Sequence, residues 1–415
     1  MSLRHHLQLH IPKYEKRSII FPIGMMIFFF VIFDGILMYL APIIITKNGI
    51  SESLMGIIIG SSSIAGMIFD LILCRILKNT NYRRIFLLMF ILSILFPLFL
   101  FGGKTIFIYF IAMAVWGFYY DFYNIGTLDF VGRTADNEHD ATSFGILRAF
   151  EGTGYLIAPL LGSILLLYIH PGPHMMLILG FPLLFSFLFY FIATHKQIVE
   201  KEEYSGVKLK VQHSFFKEIK LWKKLASMLF PILSLILLIN LIDAAIWTFG
   251  PIFSEQIGKI NNVPGGLFMI AYQLPPLLVG WVVGIITRKF GTKKTAQGAI
   301  IIGSIILIFV GFVTSIIPSI ILIFLSSFFL AIGWPSIDAV YTEYINNIPT
   351  YSKEIETLQD LFTNFGDTAG PIIGGYMAQY LGFSHSFIVL GILGTVTVIL
   401  LFLLKNKPNY IIEKI

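Results

Sequence analysis

The chain has 415 residues, of which 56% are hydrophobic and only 13% are charged. Soluble domains carry roughly 25% charged residues and about 45–50% apolar ones, and the share of surface that a single core can bury levels off as domains grow. The composition therefore excludes a water-soluble globular protein and predicts an all-α polytopic membrane protein. The net charge of +6 is compatible with nucleic-acid binding, but the basic residues lie between apolar blocks, so no nucleic-acid partner is expected.

Twelve apolar blocks follow one another along the chain, each long enough to cross a bilayer at about 20 residues per crossing. The first 17 residues are polar and basic. The block after them is too long for a signal-peptide core and lacks a small-residue cleavage site, so we interpret it as a retained span. The predicted spans are 18–45, 54–78, 83–102, 105–132, 142–169, 174–194, 227–252, 264–288, 295–315, 317–345, 357–382 and 384–405.

A hydrophilic segment in the middle of the chain predicts a division into two halves. The predicted domains are an N-terminal six-helix bundle over 1–194, a cytoplasmic linker over 195–226 and a C-terminal six-helix bundle over 227–415. Of the 29 Lys and Arg residues, 25 lie at the termini or in the loops on one side of these spans, and three lie in the opposite loops. Because positive loops stay in the cytoplasm, we expect both termini to be cytoplasmic and the protein to span the cell (inner) membrane many times.

Three motifs of the first half recur in the same order in the second half, at offsets of 209, 214 and 212 residues. The matched motifs are Asp34 to Pro42 with Asp243 to Pro251, Gly66 to Asp70 with Gly280 to Gly284, and Gly154 to Gly162 with Gly366 to Gly375. Since each half has an even number of spans, both halves enter the membrane from the same side, which is a parallel repeat. The glycine runs predict close helix packing.

The loop after span 8, from Gly280 to Lys294, resembles the signature loop of the major facilitator superfamily: Gly-x-x-x-Asp/Gly, a basic pair, Gly and a second basic pair. The first-half copy is degenerate. The resemblance covers essentially the whole chain and implies the major facilitator fold, with about 12 helices in two bundles that transport a solute by alternating access. It also implies a cytoplasmic gate, for which the candidates are Gly66, Asp70, Arg83, Arg84, Asp129, Gly284, Arg288, Lys289, Gly291 and Lys293.

The direction of transport stays open within this resemblance. The run from Gly366 to Gly375 is similar to a pattern of drug–proton antiporters, whereas Phe144 to Gly152 is similar to helix 5 of sugar– and nucleoside–proton symporters. Drug–proton antiporters usually carry an Arg in the middle of helix 4, and Met113 stands there in this chain.

Ionisable residues inside a span are costly and normally face a water-filled path or a partner. Asp34, Asp121, Asp243 and Asp338 lie in spans 1, 4, 7 and 10, which the resemblance places around the central cavity. An unpaired carboxylate in a low dielectric takes up a proton and releases it when water or a cation arrives. We therefore predict that these four residues couple transport to protons, with Asp34 and Asp243 as the main pair, and that Asp34→Asn abolishes substrate-driven proton flux. Packing or backbone hydrogen bonding is the alternative role for this pair.

Aromatic and polar side chains near these acids predict the substrate cavity. The candidates are Tyr39, Tyr120, Tyr123, Asn124, Arg148, Glu151, Asn240, Trp247, Trp334, Tyr341 and Asp367. By depth, Glu151 and Asp129 are the better partners for Arg148. An acid-rich, aromatic cavity favours an organic cation through charge and cation–π attraction, and the same groups also suit a sugar.

These observations predict a secondary active transporter, proton-coupled and leaning to efflux of an organic or cationic compound. The alternatives are a proton-coupled uptake symporter for a sugar- or nucleoside-like solute and a transport-inactive receptor or scaffold. The sequence has no phosphate-binding Gly-x-x-x-x-Gly-Lys-Ser/Thr motif and no metal-ligand cluster at depth, so neither an ATP-driven pump nor an enzyme is expected. We expect no cofactor, the proton as coupling ion, a lipid bilayer and a small-molecule substrate as partners, and a monomer.

Overall fold

The computed structural model describes residues 13–76, 81–134, 140–195 and 215–403. Over these ranges the chain forms twelve α-helices, one 3-10 turn at Pro349–Tyr351 and no strand. The helices are α1 Lys13–Lys47, α2 Glu52–Ile76, α3 Tyr82–Gly102, α4 Ile106–Thr134, α5 Asp140–Tyr168, α6 Pro173–His195, α7 Phe215–Asn261, α8 Gly266–Phe290, α9 Thr292–Val310, α10 Ile316–Asn347, α11 Ser352–Leu381 and α12 Phe383–Leu403. Each predicted span falls on one of them, so the predicted all-α fold is confirmed.

Most of these helices have the length and apolarity of membrane spans. Within the described ranges ten helices qualify, and α8 adds an eleventh if its bent segments Gly266–Gly280 and Val282–Phe290 count as one span. Helix α11 is more polar, because its N-terminal half carries residues such as Lys353, Glu354 and Asp360. Large apolar side chains such as Leu177 stand exposed on the outer helix faces, which is typical of a surface that contacts lipid.

The two halves repeat one packing scheme. In the first half α1 packs against α5 and α6, while α4 packs against α2 and α3. In the second half the corresponding helices behave alike: α7 packs against α11 and α12, while α10 packs against α8 and α9. The predicted internal repeat is therefore present as two six-helix bundles.

The boundary between the halves differs in one respect from the prediction. Helix α6 ends at His195, and α7 already begins at Phe215, before the expected boundary at 227. Of the predicted linker, residues 196–214 lie outside the described residues and 215–226 belong to α7. A helix can extend beyond the bilayer into water, so its polar first turns resemble a linker in sequence.

The glycine runs serve helix packing, as predicted. A Cβ on Gly154 of α5 would lie 3.0 Å from the carbonyl oxygen of Phe28 on α1. A Cβ on Gly370 of α11 would lie 2.6 Å from the carbonyl oxygen of Leu241 on α7. Both contacts join the first and fifth helices of a bundle, and a side chain at either position would separate these helices.

The bundles meet at one end of the molecule. We call the end where α6 stops and α7 starts the linker face, and the opposite end the closed face. Helix pairs α2–α11, α5–α8 and α1–α7 join the bundles. A Cβ on Gly375, near the end of α11, would lie 2.9 Å from Cα of Gly56, near the start of α2. Because both residues lie towards the closed face, the bundles are sealed there.

Candidate substrate cavity

A cavity of about 730 Å³ lies between the two bundles. Helices α1 to α5 form one wall, to which α3 contributes Phe96, and α7, α8 and α11 form the other. The lining extends from Met38 and Pro371, towards the closed face, to Leu128 and Asp360, towards the linker face. The cavity therefore reaches the linker face, while the contacts between α2 and α11 seal its other end.

The cavity wall is acidic. Four carboxylates line it, those of Asp121, Asp243, Asp360 and Asp367, and no Lys, Arg or His is among the described lining residues. Charges of one sign in a cleft with low-dielectric walls attract counter-ions strongly. The arrangement favours a positively charged occupant.

Asp243 and Asp367 form a carboxylate pair on the wall of the second bundle. The hydroxyl of Tyr272 on α8 donates a hydrogen bond to Asp243 Oδ1 at 2.5 Å, and Asp367 is close enough to Asp243 for the two charges to repel each other. Gly366 allows their helices to meet, since a Cβ there would lie 2.8 Å from Cβ of Asn240 on α7. Among the described residues no basic side chain pairs with Asp243, as the sequence predicts.

Asp34 occupies a different position from the one expected for a cavity residue. It has no exposed surface and lies behind the wall, where it accepts hydrogen bonds from Trp116 Nε1 at 2.9 Å, the Tyr119 hydroxyl at 2.5 Å and the Tyr155 hydroxyl at 3.0 Å. Trp116 and Tyr155 line the cavity and Asp34 does not. In the described part of the chain, no Lys, Arg or His side chain forms an ion pair with Asp34.

The structure brings part of the predicted set to the cavity. The predicted residues that line it are Gly66, Tyr120, Asp121, Asn124, Asp243, Trp247 and Asp367. Gly66 and Asp121 are neighbours across α2 and α4, because a Cβ on Gly66 would lie 3.1 Å from Asp121 Oδ2. A predicted coupling residue and a predicted gate residue therefore adjoin each other.

Three predicted cavity residues of the first bundle make their contacts inside that bundle instead. Arg148 pairs with Glu151 one helical turn away, with Nη1 and Oε2 2.6 Å apart, so the first of its two expected partners is confirmed. Tyr123 is buried, and its ring stacks on Phe30 with centroids 5.4 Å apart. Neither Tyr123 nor the Arg148–Glu151 pair lines the cavity.

Four predicted residues of the second bundle also lie off the cavity wall. Asn240 donates to the carbonyl oxygen of Ile236 at 2.8 Å, and Tyr341 donates to the carbonyl oxygen of Ile355. Asp338 is exposed and accepts from Gln359 Nε2 at 3.2 Å, while Trp334 packs against the hydrophobic core. Asp338 and Trp334 lie off the wall because their helix, α10, packs mainly on α8 and α9. In the second bundle α8 and α11 line the cavity in place of α10.

The predicted gate residues other than Gly66 lie towards the linker face. Asp129 accepts from the backbone N–H of Tyr82 at 2.6 Å, which ties α4 to α3, and Arg288 Nε donates to the carbonyl oxygen of Gly284 at 2.9 Å. Gly291, at φ +83°, makes the tight turn between α8 and α9. The side chain of Asp70 lies outside the described residues. Arg83 and Arg84 in the first turn of α3, and Lys289 and Lys293 on either side of Gly291, lie at this face as well, and their gating role stays a prediction.

Several lining residues are not among those predicted from the sequence, chiefly Trp116, Tyr155, Gln273, Asp360 and Asn364. Trp116 had a usable signal, because Trp116, Tyr120 and Asn124 recur every four residues and share one face of α4. Tyr155 directly follows the predicted packing residue Gly154. A packing motif does not indicate that the next side chain along the helix points into a cavity.

Tyr39, predicted to line the cavity, instead links the bundles at the closed face. Its hydroxyl donates to Glu255 Oε1 at 2.6 Å and lies 3.0 Å from Ser254 Oγ, both on α7. All three residues are buried. A hydrogen bond to a charged group stabilises by roughly 1.5–3 kcal/mol, so this contact favours the state in which the closed face is sealed.

Tyr39→Phe is expected to raise the population of the state open at the closed face by about tenfold, given the strength of a charge-assisted hydrogen bond. Spin labels on Lys104 and Lys259, exposed on the two bundles at this face, would report a longer distance by pulsed electron resonance in a Cys74→Ser background. Tyr109→Phe is the matched control, because Tyr109 is a buried tyrosine that bonds within its own bundle to Gly103. An unchanged distance distribution in Tyr39→Phe would show that this hydrogen bond does not keep the closed face sealed.

Comparison with known proteins agrees with this architecture. Residues 23–353 and 265–413 match the Major Facilitator Superfamily. No curated protein shows significant sequence similarity to the chain.

Solved structures share the fold at low sequence identity. The nucleoside transporter NupG superposes with a TM-score of 0.72 at 15% identity, covering 93% of this chain and 98% of that one. A mutant of NupG gives a TM-score of 0.71 at 14% identity, with 93% and 99% covered. A bacterial homolog of the human lysosomal transporter Spinster, inward-facing and unoccupied, gives a TM-score of 0.73 at 12% identity, with 94% and 97% covered.

Such identities speak for the fold alone, whereas the family match spans almost the whole chain. The family, the apolar helices and the central cavity together describe a multi-pass membrane protein that moves a solute. The chain belongs to the major facilitator superfamily of transporters.

Proposed function

We propose that this protein is a proton-coupled antiporter that exports an organic cation by alternating access. The observation that carries the proposal is the cavity wall with its four carboxylates and no basic side chain among the described lining residues. Trp116, Tyr120, Tyr155 and Trp247 line the same cavity, and aromatic faces attract cations. A positively charged solute with an apolar body therefore fits this wall best.

Asp243 and Asp367 are the groups we assign to proton exchange. Two neighbouring carboxylates in a low dielectric bind a proton readily, because one neutral and one charged group repel each other less than two anions do. An arriving cation replaces that proton by neutralising the same charge. Proton and cation then bind alternately to one site, which is the condition for antiport. Asp121, on the opposite wall, adds attraction for the cation.

The order of steps follows from the state of the cavity. A cavity that reaches the linker face admits the cation from that side, and the cation displaces the proton from the carboxylate pair. Rocking of the bundles then seals the linker face and opens the closed face, where the cation leaves and a proton rebinds. The excess of Lys and Arg in the loops of the linker face supports a cytoplasmic location for this face in the cell membrane, so the cation would be exported.

A proton-coupled uptake symporter for a nucleoside- or sugar-like solute is the second candidate. The amides of Asn124, Gln273 and Asn364 line the cavity beside the aromatic rings, and such groups bind hydroxyls and bases. The fold similarity to a nucleoside transporter is compatible with this candidate. A neutral solute gains little from four carboxylates, however, so the cation is favoured.

Purified protein in proteoliposomes with a trapped pH-sensitive dye would test the proposal. Compared with protein-free liposomes, addition of tetraphenylphosphonium to one side is expected to drive more protons to that side, whereas uridine and glucose are expected to drive none. Proton movement together with uridine or glucose would replace the proposal with the symporter. No proton movement with any of the three solutes would favour a receptor or scaffold.

A further inference from the structure

We propose that Asp34 is a positioning residue that holds Trp116 and Tyr155 as two walls of a subsite for the cationic head group of the substrate. The inference rests on the proposed transport of an organic cation. It gives Asp34 a role other than the proton exchange that its place in the sequence predicts.

The geometry around Asp34 uses both carboxylate oxygens. Trp116 and Tyr119 from α4 donate to Oδ1, and Tyr155 from α5 donates to Oδ2. All three groups are donors here, and a carboxylate can accept from all of them without supplying a donor of its own. Asparagine would place an NH₂ group against at least one of these donors.

Packing behind the rings fixes their orientation further. Trp116 stacks on Phe96 with centroids 6.0 Å apart and planes 13° apart. The residue after Asp34 is Gly35, where a Cβ would lie 2.7 Å from Cβ of Ala158 and 3.1 Å from Cδ1 of Tyr155. Helices α1 and α5 therefore meet closely at this point. Each ring is held at its polar edge by Asp34 and supported by a neighbour.

The chemistry of this arrangement suits an onium group. Trp116 and Tyr155 both face the cavity, and Trp and Tyr faces bind ammonium and related cations. A ring that donates its N–H or O–H to an anion becomes richer in electrons, which strengthens that attraction. Asp34, which has no basic partner among the described residues, therefore polarises both rings from behind the cavity wall.

The same geometry separates Asp34 from proton exchange. Its side chain has no exposed surface, and two of its three donors stand between it and the cavity. Asp243 and Asp367 line the cavity directly. Asp34 therefore influences which cation binds, and the carboxylate pair determines the response to pH.

Equilibrium binding of tetraphenylphosphonium to the purified protein between pH 5.5 and 8.5 tests the assignment. Asp34→Asn is expected to weaken binding by about tenfold, as for the loss of an oriented cation–π site, and to leave the pH dependence of binding as in the wild type. Tyr155→Phe, which keeps the ring, should weaken binding by about threefold. The double variant should be no weaker than Asp34→Asn, because both changes remove one interaction. Glu343→Gln, which changes an exposed carboxylate on α10, should bind like the wild type.

Two results would overturn the inference. Wild-type affinity in Asp34→Asn would show that Asp34 does not position the rings. Loss of the pH dependence in this variant would make Asp34 the proton-exchange group. If the pH dependence is absent already in the wild type, the proposed coupling fails, and the affinity comparison still decides the positioning role.

A spectroscopic measurement without ligand tests the positioning role if tetraphenylphosphonium does not bind. Ultraviolet resonance Raman spectra report the hydrogen bond of an indole N–H, and the difference from Trp116→Phe isolates the band of Trp116. Asp34→Asn is expected to shift this band towards a weaker hydrogen bond. An unshifted band would overturn the positioning role even if tetraphenylphosphonium does not bind.

Discussion

Replacing Asp243 with Asn is expected to abolish the protein-dependent proton movement that tetraphenylphosphonium drives in proteoliposomes, while the purified protein still binds this cation. Asparagine has nearly the shape of aspartate and keeps an oxygen for the Tyr272 hydroxyl, but it cannot release a proton. The variant also leaves Asp367 without a neighbouring charge, so the pair no longer exchanges a proton for the cation. Uphill transport against a cation gradient should be lost.

Asp360→Asn is the matched control for this experiment. Asp360 lines the same cavity nearer the linker face, and the change removes the same charge. This variant should retain coupled transport, with a change in apparent affinity of about threefold or less, as expected for a partly solvated charge. Full proton coupling in Asp243→Asn, or its loss in Asp360→Asn alone, would contradict our assignment of the coupling groups.

Replacing Gly56 with Leu is expected to reduce the initial rate of transport about tenfold, because overpacking a tight contact costs about 1–3 kcal/mol. A Cβ at this position would collide with the carbonyl oxygen of Pro371 and lie 3.1 Å from Cα of Gly375. Since α2 and α11 touch here, the leucine side chain would push the bundles apart at the closed face. The sealed state, which the transport cycle requires, would be depleted.

Gly180→Leu provides the comparison for Gly56→Leu. Gly180 lies in α6, is exposed, and has open space where a Cβ would be, so its substitution should leave transport near the wild-type rate. Spin labels on Lys104 and Lys259 would show the expected separation of the bundles in Gly56→Leu. Wild-type transport in that variant would mean that the α2–α11 contact is not part of the seal.

The fold was predictable because its main determinant is local. A helix that crosses lipid must satisfy its own backbone hydrogen bonds, so each apolar block implies one helix whatever its neighbours are. The start of α7 was missed because its first turns are polar, and polarity marks the edge of the bilayer rather than the end of a helix. Gly154 and Gly370 were identifiable as packing residues because close helix contacts require small side chains.

The cavity was harder to predict because it depends on the rotation of each helix. Tyr119 and Tyr120 are adjacent in sequence, yet Tyr119 points to Asp34 and Tyr120 lines the cavity. Asp34 and Asp243 occupy equivalent places in the repeat, but Asp34 meets three donors from α4 and α5, whereas Asp243 meets one from α8. The roles of Asp34 and Asp243 therefore depend on hydrogen-bond donors from other helices. No sequence pattern within α1 or α7 identifies these donors.

The central claim is that an organic cation and a proton compete for the carboxylate pair of Asp243 and Asp367. Proton release on binding tests it most directly, with purified protein in a weakly buffered solution and a pH-sensitive dye. Tetraphenylphosphonium carries a permanent charge and no acidic proton, so any released proton comes from the protein. We predict release of about one proton per bound cation in the wild type and none in Asp243→Asn. Binding without release in the wild type, or undiminished release in the variant, would contradict the account.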